Sequence, residues 1–175
     1  MTGTPSRRVG WLVGAAGVAL LVDVASKSAA VAWLPGRSVD LVGGMTLRLT
    51  RNPGAAFSIG TDFTAVFTVL AVAVVAGIGW YGRRVTHRGW AIGLGLIAGG
   101  AAGNLVDRLF RSPGPGRGHV VDFLHLTWWP TFNLADSALV CGVAIAVVLS
   151  LRNVPVVAAP PSGVEATDAG MGQRG

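Results

Sequence analysis

Cysteine, lysine and acidic side chains are all scarce in this chain, and each scarcity removes a class of protein. A single cysteine, Cys141, excludes an internal disulfide and any site built from several thiolates, and in an apolar run it reads as a small packing residue. The three histidines show no HExxH spacing, so no metal or other cofactor is expected, and His119 and His125 read as interfacial or supporting residues. Only 13% of the residues are charged against 51% hydrophobic, a balance that does not suit a soluble domain. The net charge of +6 comes with no basic run interleaved with aromatics, so nucleic acid is not an expected partner, whereas membrane lipids with anionic headgroups are.

What the chain does have is apolar runs. A hydrocarbon core about 30 Å thick needs roughly 20 residues at 1.5 Å each. Four runs meet that length, at residues 11–34, 63–81, 90–110 and 133–151. They predict a mainly α membrane protein, a bundle of four transmembrane helices. The tryptophans Trp11, Trp33, Trp80, Trp90, Trp128 and Trp129 fall at run ends or in an interfacial stretch, where amphipathic rings prefer to lie. Asp23 and Lys27 interrupt the first run and no small-residue cleavage site follows, which favours a retained span over a cleaved leader.

Four spans put both termini on one side. Arg7, Arg8, Arg83, Arg84, Arg88 and Arg152 would then be cytoplasmic, although Arg37, Arg48, Arg51, Arg108, Arg111 and Arg117 fall on the other side. Orientation therefore rests on the first helix and the dense short loop. Residues 1–10 form a cytoplasmic N-terminus, 11–151 the membrane domain, and 152–175, rich in Pro, Gly, Ala and Ser, a cytoplasmic tail expected to be disordered.

On the outer side, residues 36–58 read as a small β platform. Val39 to Val42 and Met45 to Thr50 flank Gly43-Gly44 with period-two alternation, the signature of a hairpin. The following Asn52-Pro53-Gly54-Ala55-Ala56-Phe57-Ser58 reads as a loop into the second span. The segment HVVDFLHLTWWPTF, residues 119–132, is apolar but broken by Asp122, His125 and Pro130, and is expected to lie along the interface as a loop.

Several polar residues sit where they are costly. Asp23 and Lys27 are spaced i,i+4 for an intramembrane pair. Asn104 and Arg108 share a helix face, with Asp107 beside them, although Arg108 could also snorkel to the interface. Gly95, Gly99 and Gly103 form one small-residue face for close helix packing. Asp136 can be explained as part of a capping box with Asn133, but Asp122, flanked by Val120, Val121, Phe123 and Leu124, has no such explanation. Two aspartates meeting across the fold would share a proton, and one could then activate water while the other polarises a scissile amide.

Asp23 with Lys27, the Asn52 to Ser58 string, Gly103-Asn104-Leu105-Val106-Asp107-Arg108, Val121-Asp122-Phe123 and Phe132-Asn133-Leu134-Ala135-Asp136 occur in that order. Together they resemble the signal peptidase II family over residues 11 to 151. The resemblance implies that Asp122 and Asp136 are the catalytic dyad of an aspartic endopeptidase, supported by Asp23, Lys27, Asn52, Gly54, Asn104, Arg108, Asn133 and Ala135. It also implies a multi-pass protein of the bacterial cytoplasmic membrane with its active site on the extracytoplasmic face. Its implied partners are diacylglyceryl-modified prolipoproteins, cut just before the lipid-bearing cysteine, and the chain is expected to work as a monomer. The stretch after Arg111, RSPGPGRG, looks longer than the family's pattern. A small transporter or proton relay is the rival reading, but it would place these charges near the midplane and show internal repeats, which are not found.

Overall fold

The structure, a computed structural model, describes residues 8–54 and 63–158. Four helices are long and apolar enough to cross a membrane: α1 (Val9–Trp33), α2 (Phe63–Tyr81), α3 (Arg88–Phe110) and α4 (Leu134–Leu151). Their bounds follow the apolar runs closely. The fourth begins one residue later than expected because Asn133 is its N-cap. Ala55 to Ser58, Arg7 and the tail from residue 159 lie outside the described residues.

α3 is the hub of the bundle, and its glycines are the reason. Helices in lipid gain little from hydrophobic burial against one another, so close backbone approach carries the association. A Cβ at Gly95 or Gly99 would stand 2.5 Å from Leu12 O or Ala16 O of α1, which only glycine avoids. A second face, not anticipated from the sequence, meets α4: a Cβ at Gly100 would stand 2.5 Å from Ala135 O, and one at Gly142 would stand 2.6 Å from Gly93 O. α3 therefore fixes α1 and α4 together, one on each side.

The outer platform is larger than a hairpin. β1 (Ser38–Asp40), β2 (Met45–Asn52), β3 (Val120–Leu126) and β4 (Trp129–Phe132) form one antiparallel sheet in that order. The turn between β1 and β2 is a short 3-10 segment, Val42–Gly44, so the first strand ends at Asp40 rather than Val42. Residues 120–132 are thus two strands of the sheet and not a loop along the interface. Thr50 pairs with Asp122 and Asn52 with Val120, so the second strand delivers Asn52 to the neighbourhood of Asp122. Ala30 and Leu34 of α1 pack with Val121 and Phe123 of β3 and so seat the sheet on the bundle.

The other end of the bundle corrects the tail. Residues 154–158 are ordered against the α2–α3 connection: Thr86 N–H donates to Val156 O at 3.1 Å, Trp90 Nε1 to Val154 O at 2.9 Å, and Ala158 N–H to Thr86 Oγ1 at 2.8 Å. Val156 joins the small cluster of Leu12, Val85 and Ala91, so burial of an apolar side chain and satisfied backbone groups hold a segment whose composition suggested disorder.

Candidate active site

Six polar residues from α1, α3, β3 and α4 are buried at the outer end of the bundle: Asp23, Lys27, Asp107, Arg108, Asp122 and Asn133. Charge in such a place needs partners, and most of the connections run between elements. The Lys27 ammonium lies 2.7 Å from Asp23 Oδ2 and 2.9 Å from Asp107 Oδ2, and it donates to Asn104 Oδ1 at 2.9 Å. Asp23 Oδ2 has no hydrogen bond of good geometry, so Lys27 serves it as an ion-pair partner only. Asp23 Oδ1 accepts from Ala135 N–H at 2.8 Å, tying α1 to the first turn of α4. Ala135 is fully buried, and a Cβ added at Gly100 or Gly103 would stand 2.5 Å from its O or 3.3 Å from its Cβ, respectively.

Asn133 decides the geometry of the two aspartates. As N-cap its Oδ1 accepts Asp136 N–H at 3.0 Å, while its own N–H donates to Asp136 Oδ2 at 3.2 Å. This is the capping box expected from the sequence. Because Oδ1 is committed to the cap, Nδ2 faces inward and donates to Asp122 Oδ1 at 2.7 Å and to Asn104 Oδ1 at 3.3 Å. Asn104 Nδ2 in turn donates to Asp136 Oδ1 at 2.9 Å. Asp122 and Asp136, from a strand and a helix, are therefore linked through two amides.

Asn52 closes the network from β2. Its Oδ1 takes Gly54 N–H at 2.8 Å, which turns Nδ2 toward Asp122 Oδ2 at 3.0 Å. Gly54 has φ +95°, a conformation that favours glycine, and a Cβ there would stand 3.0 Å from the Phe67 ring and 3.4 Å from Arg108 Nη2. Arg108 does not snorkel outward. It is only 7% exposed, lies beside the Phe67 ring, and its Nη1 has no hydrogen-bond partner among the described residues. Burial raises the Asp122 carboxyl to about 6, a shift opposed by the two amide donors and reinforced by Asp136.

All ten residues expected at the site lie in or directly against this network, and the one that sequence reasoning undervalued is Asp107. Its Oδ2 accepts Val121 N–H at 3.1 Å as well as facing Lys27, and its Oδ1 is paired with Arg111. The signal was present in its i,i+3 and i,i+4 relation to Asn104 and Arg111. Four carboxylates, those of Asp23, Asp107, Asp122 and Asp136, thus stand with three cations, Lys27, Arg108 and Arg111. His125 stands apart, with Nδ1 3.3 Å from Thr131 Oγ1, and among the described residues no group of His, Cys, Asp or Glu forms a metal site.

An apolar groove of about 360 Å³ opens beside the cluster, lined by Leu126, Trp128, Trp129, Phe132 and Val140, and it reaches Asp136. Cys141 lies exposed on its wall and is not a buried packing residue. α4 turns that face away from α3, which takes Gly142 instead.

A multi-pass membrane protein with two carboxylates, one buried and one half-buried, linked at one end of a four-helix bundle is the class that this fold and site define. The chain belongs to the signal peptidase II family, whose model, described as signal peptidase (SPase) II, matches residues 15–152. It is 53% identical over 149 residues to a lipoprotein signal peptidase of Mycobacterium leprae (strain Br4923), covering 84% of this chain and 74% of that one. It is 55% identical over 138 residues to that of Rhodococcus jostii (strain RHA1), covering 78% and 70%. A solved bacterial membrane enzyme shares the fold with a TM-score of 0.74 at 22% identity, over 86% of this chain and 99% of that chain.

Proposed function

We propose that this chain is an aspartic endopeptidase that removes the signal peptide from diacylglyceryl-modified bacterial prolipoproteins, just before the lipidated cysteine, with Asp122 and Asp136 as its dyad. The observation that carries this reading is the amide network that joins the two carboxylates. In the proposed step Asp136 takes a proton from water as its oxygen attacks the scissile carbonyl, and Asp122 gives its proton to the carbonyl oxygen. Collapse of the tetrahedral intermediate breaks the C–N bond, the leaving nitrogen takes the proton from Asp136, and Asp122 recovers its own. Asn52, Asn104 and Asn133 hold the carboxylates. Lys27 and Asp23 hold α1 and α4 around them, and Arg108 keeps one donor, Nη1, without a partner among the described residues.

The outer end is extracytoplasmic in this reading, both termini are cytoplasmic, and the chain works as a monomer. The apolar groove at Asp136 suits a substrate that arrives from the bilayer. A lipid anchor would hold the scissile bond at the depth of the dyad and turn a bulk encounter into a positioned one. Incubation of the purified protein with lipidated and unlipidated lipobox peptides tests this. Cleavage of the lipidated peptide alone is expected, and equal rates on both would overturn the substrate assignment.

A further inference from the structure

At the end of the bundle opposite the carboxylate cluster, a groove of about 600 Å³ flanks the seam between α1 and α3, walled by Gly10, Trp11, Gly14 and Val18 of α1 and Ile92 and Leu96 of α3. Gly95 and Gly99, on the seam itself, are pressed against α1. Gly10 and Gly14 instead have open space where a Cβ would stand, so they hollow the surface without seating any helix among the described residues. From Gly10 to Val18 the groove follows about 12 Å of helix, close to the ~15 Å depth of one leaflet in a core about 30 Å thick.

The mouth of this groove is cationic. The Arg88 guanidinium lies over the Trp11 ring, 3.7 Å from its centroid. Stacking uses the flat face of the guanidinium and leaves its in-plane N–H donors free, in the geometry that takes phosphate oxygens. No carboxylate among the described residues pairs with Arg88, since the ion pairs found there all belong to Asp23, Lys27, Asp107 and Arg111 at the other end. Arg8, held at this end by its N–H bond to Val85 O, adds a second positive charge.

We propose that this groove binds one anionic phospholipid of the leaflet at the arginine end, with its phosphate on Arg88 and an acyl chain along Gly10, Gly14 and Val18. A zwitterionic headgroup would bring an ammonium against Arg88 and Arg8, so the site selects net negative charge. A basic residue near a membrane surface is worth about 1 kcal/mol toward an anionic lipid, or roughly fivefold in affinity.

Native mass spectrometry of the full chain, released from micelles holding equimolar phosphatidylglycerol and phosphatidylcholine of the same acyl chains, tests the proposal. One phosphatidylglycerol per chain is expected, retained about fivefold over phosphatidylcholine. Arg88→Gln should lower that preference, and Gly14→Leu should abolish retention, while Gly79→Leu, on an open face of α2, should leave retention as it is. Equal retention of both lipids by the unaltered chain, or an undiminished preference in both Arg88→Gln and Gly14→Leu, would overturn it. So would efficient disulfide cross-linking of two copies through Gly14→Cys in a Cys141→Ala background, because the groove would then be filled by a second chain.

Discussion

α2 and α3 are neighbours that cross the same bilayer, and they are built on opposite terms. α2 is the more hydropathic of the two, yet among its described side chains only Thr64 and Thr68, near its outer end, are buried. α3 is the least hydropathic of the four spans and the most buried, with Gly93, Gly95, Gly99, Gly100 and Gly103 against its neighbours and Asp107 and Arg108 enclosed at its outer end. Apolarity in a membrane protein thus marks the face turned to lipid, while small and polar residues mark the interior. Thr64 and Thr68 keep to the same rule: they turn inward, donating to Pro53 O and to Gly116 O, and moor the loops around the site to α2.

The largest expected effect comes from removing the cation that serves the polar end of α3. Lys27→Met would leave Asp23 and Asp107 buried without their shared partner, and should cost about 3–5 kcal/mol in thermal unfolding in micelles. A loss below 1 kcal/mol would mean that the cluster is far wetter than its full burial implies.

A pH dependence comes next. Asp122 is raised from an ordinary 3.8 to about 6, so the folded state holds a proton there that the unfolded chain has released. Its contribution is fully present below pH ~4, falls as pH rises through about 6 and is gone above that, a swing of roughly 3 kcal/mol at 1.36 kcal/mol per pH unit. The stability of the unaltered protein relative to Asp122→Asn, followed by unfolding from pH 4 to 7.5, should therefore fall by roughly 3 kcal/mol as pH rises, and parallel curves would contradict the assignment.

The smallest effect contrasts the two helices directly. Gly99→Ala must push against Ala16 O and should cost about 1–3 kcal/mol, whereas Gly77→Ala on α2 meets nothing and should lie within about 0.5 kcal/mol. Equal costs would remove the distinction between hub and periphery.

The sequence disclosed the spans because lipid imposes a length and an apolarity that no loop of this chain imitates. Charge and amide groups in apolar surroundings marked Asp23, Lys27, Asn104, Arg108 and Asp122, whereas Asn52, Gly54 and Ala135 came only through the family resemblance. The sheet was harder to see. Val120, Val121, Asp122 and Phe123 are all buried, so β3 is covered on both faces and shows no alternation to read. The second glycine face of α3 was hidden because Gly93 and Gly100 gain meaning only when Ala135 and Gly142 are known to lie opposite. The ordering of residues 154–158 depends on Thr86 and Trp90, partners far away in sequence that composition cannot supply.

Whether Asp136 is one half of a dyad or only a helix cap is the central question, since its carboxylate serves both bonds. Single-turnover cleavage of a lipidated peptide by Asp122→Asn, Asp136→Asn, the double variant and Asp40→Asn answers it. Each single exchange at the site should lower the rate by about 10³-fold or more, the double should be hardly slower, and Asp40→Asn should retain most activity. Near-normal turnover in Asp136→Asn, with only a lowered unfolding temperature, would contradict the dyad and leave Asp136 as a cap.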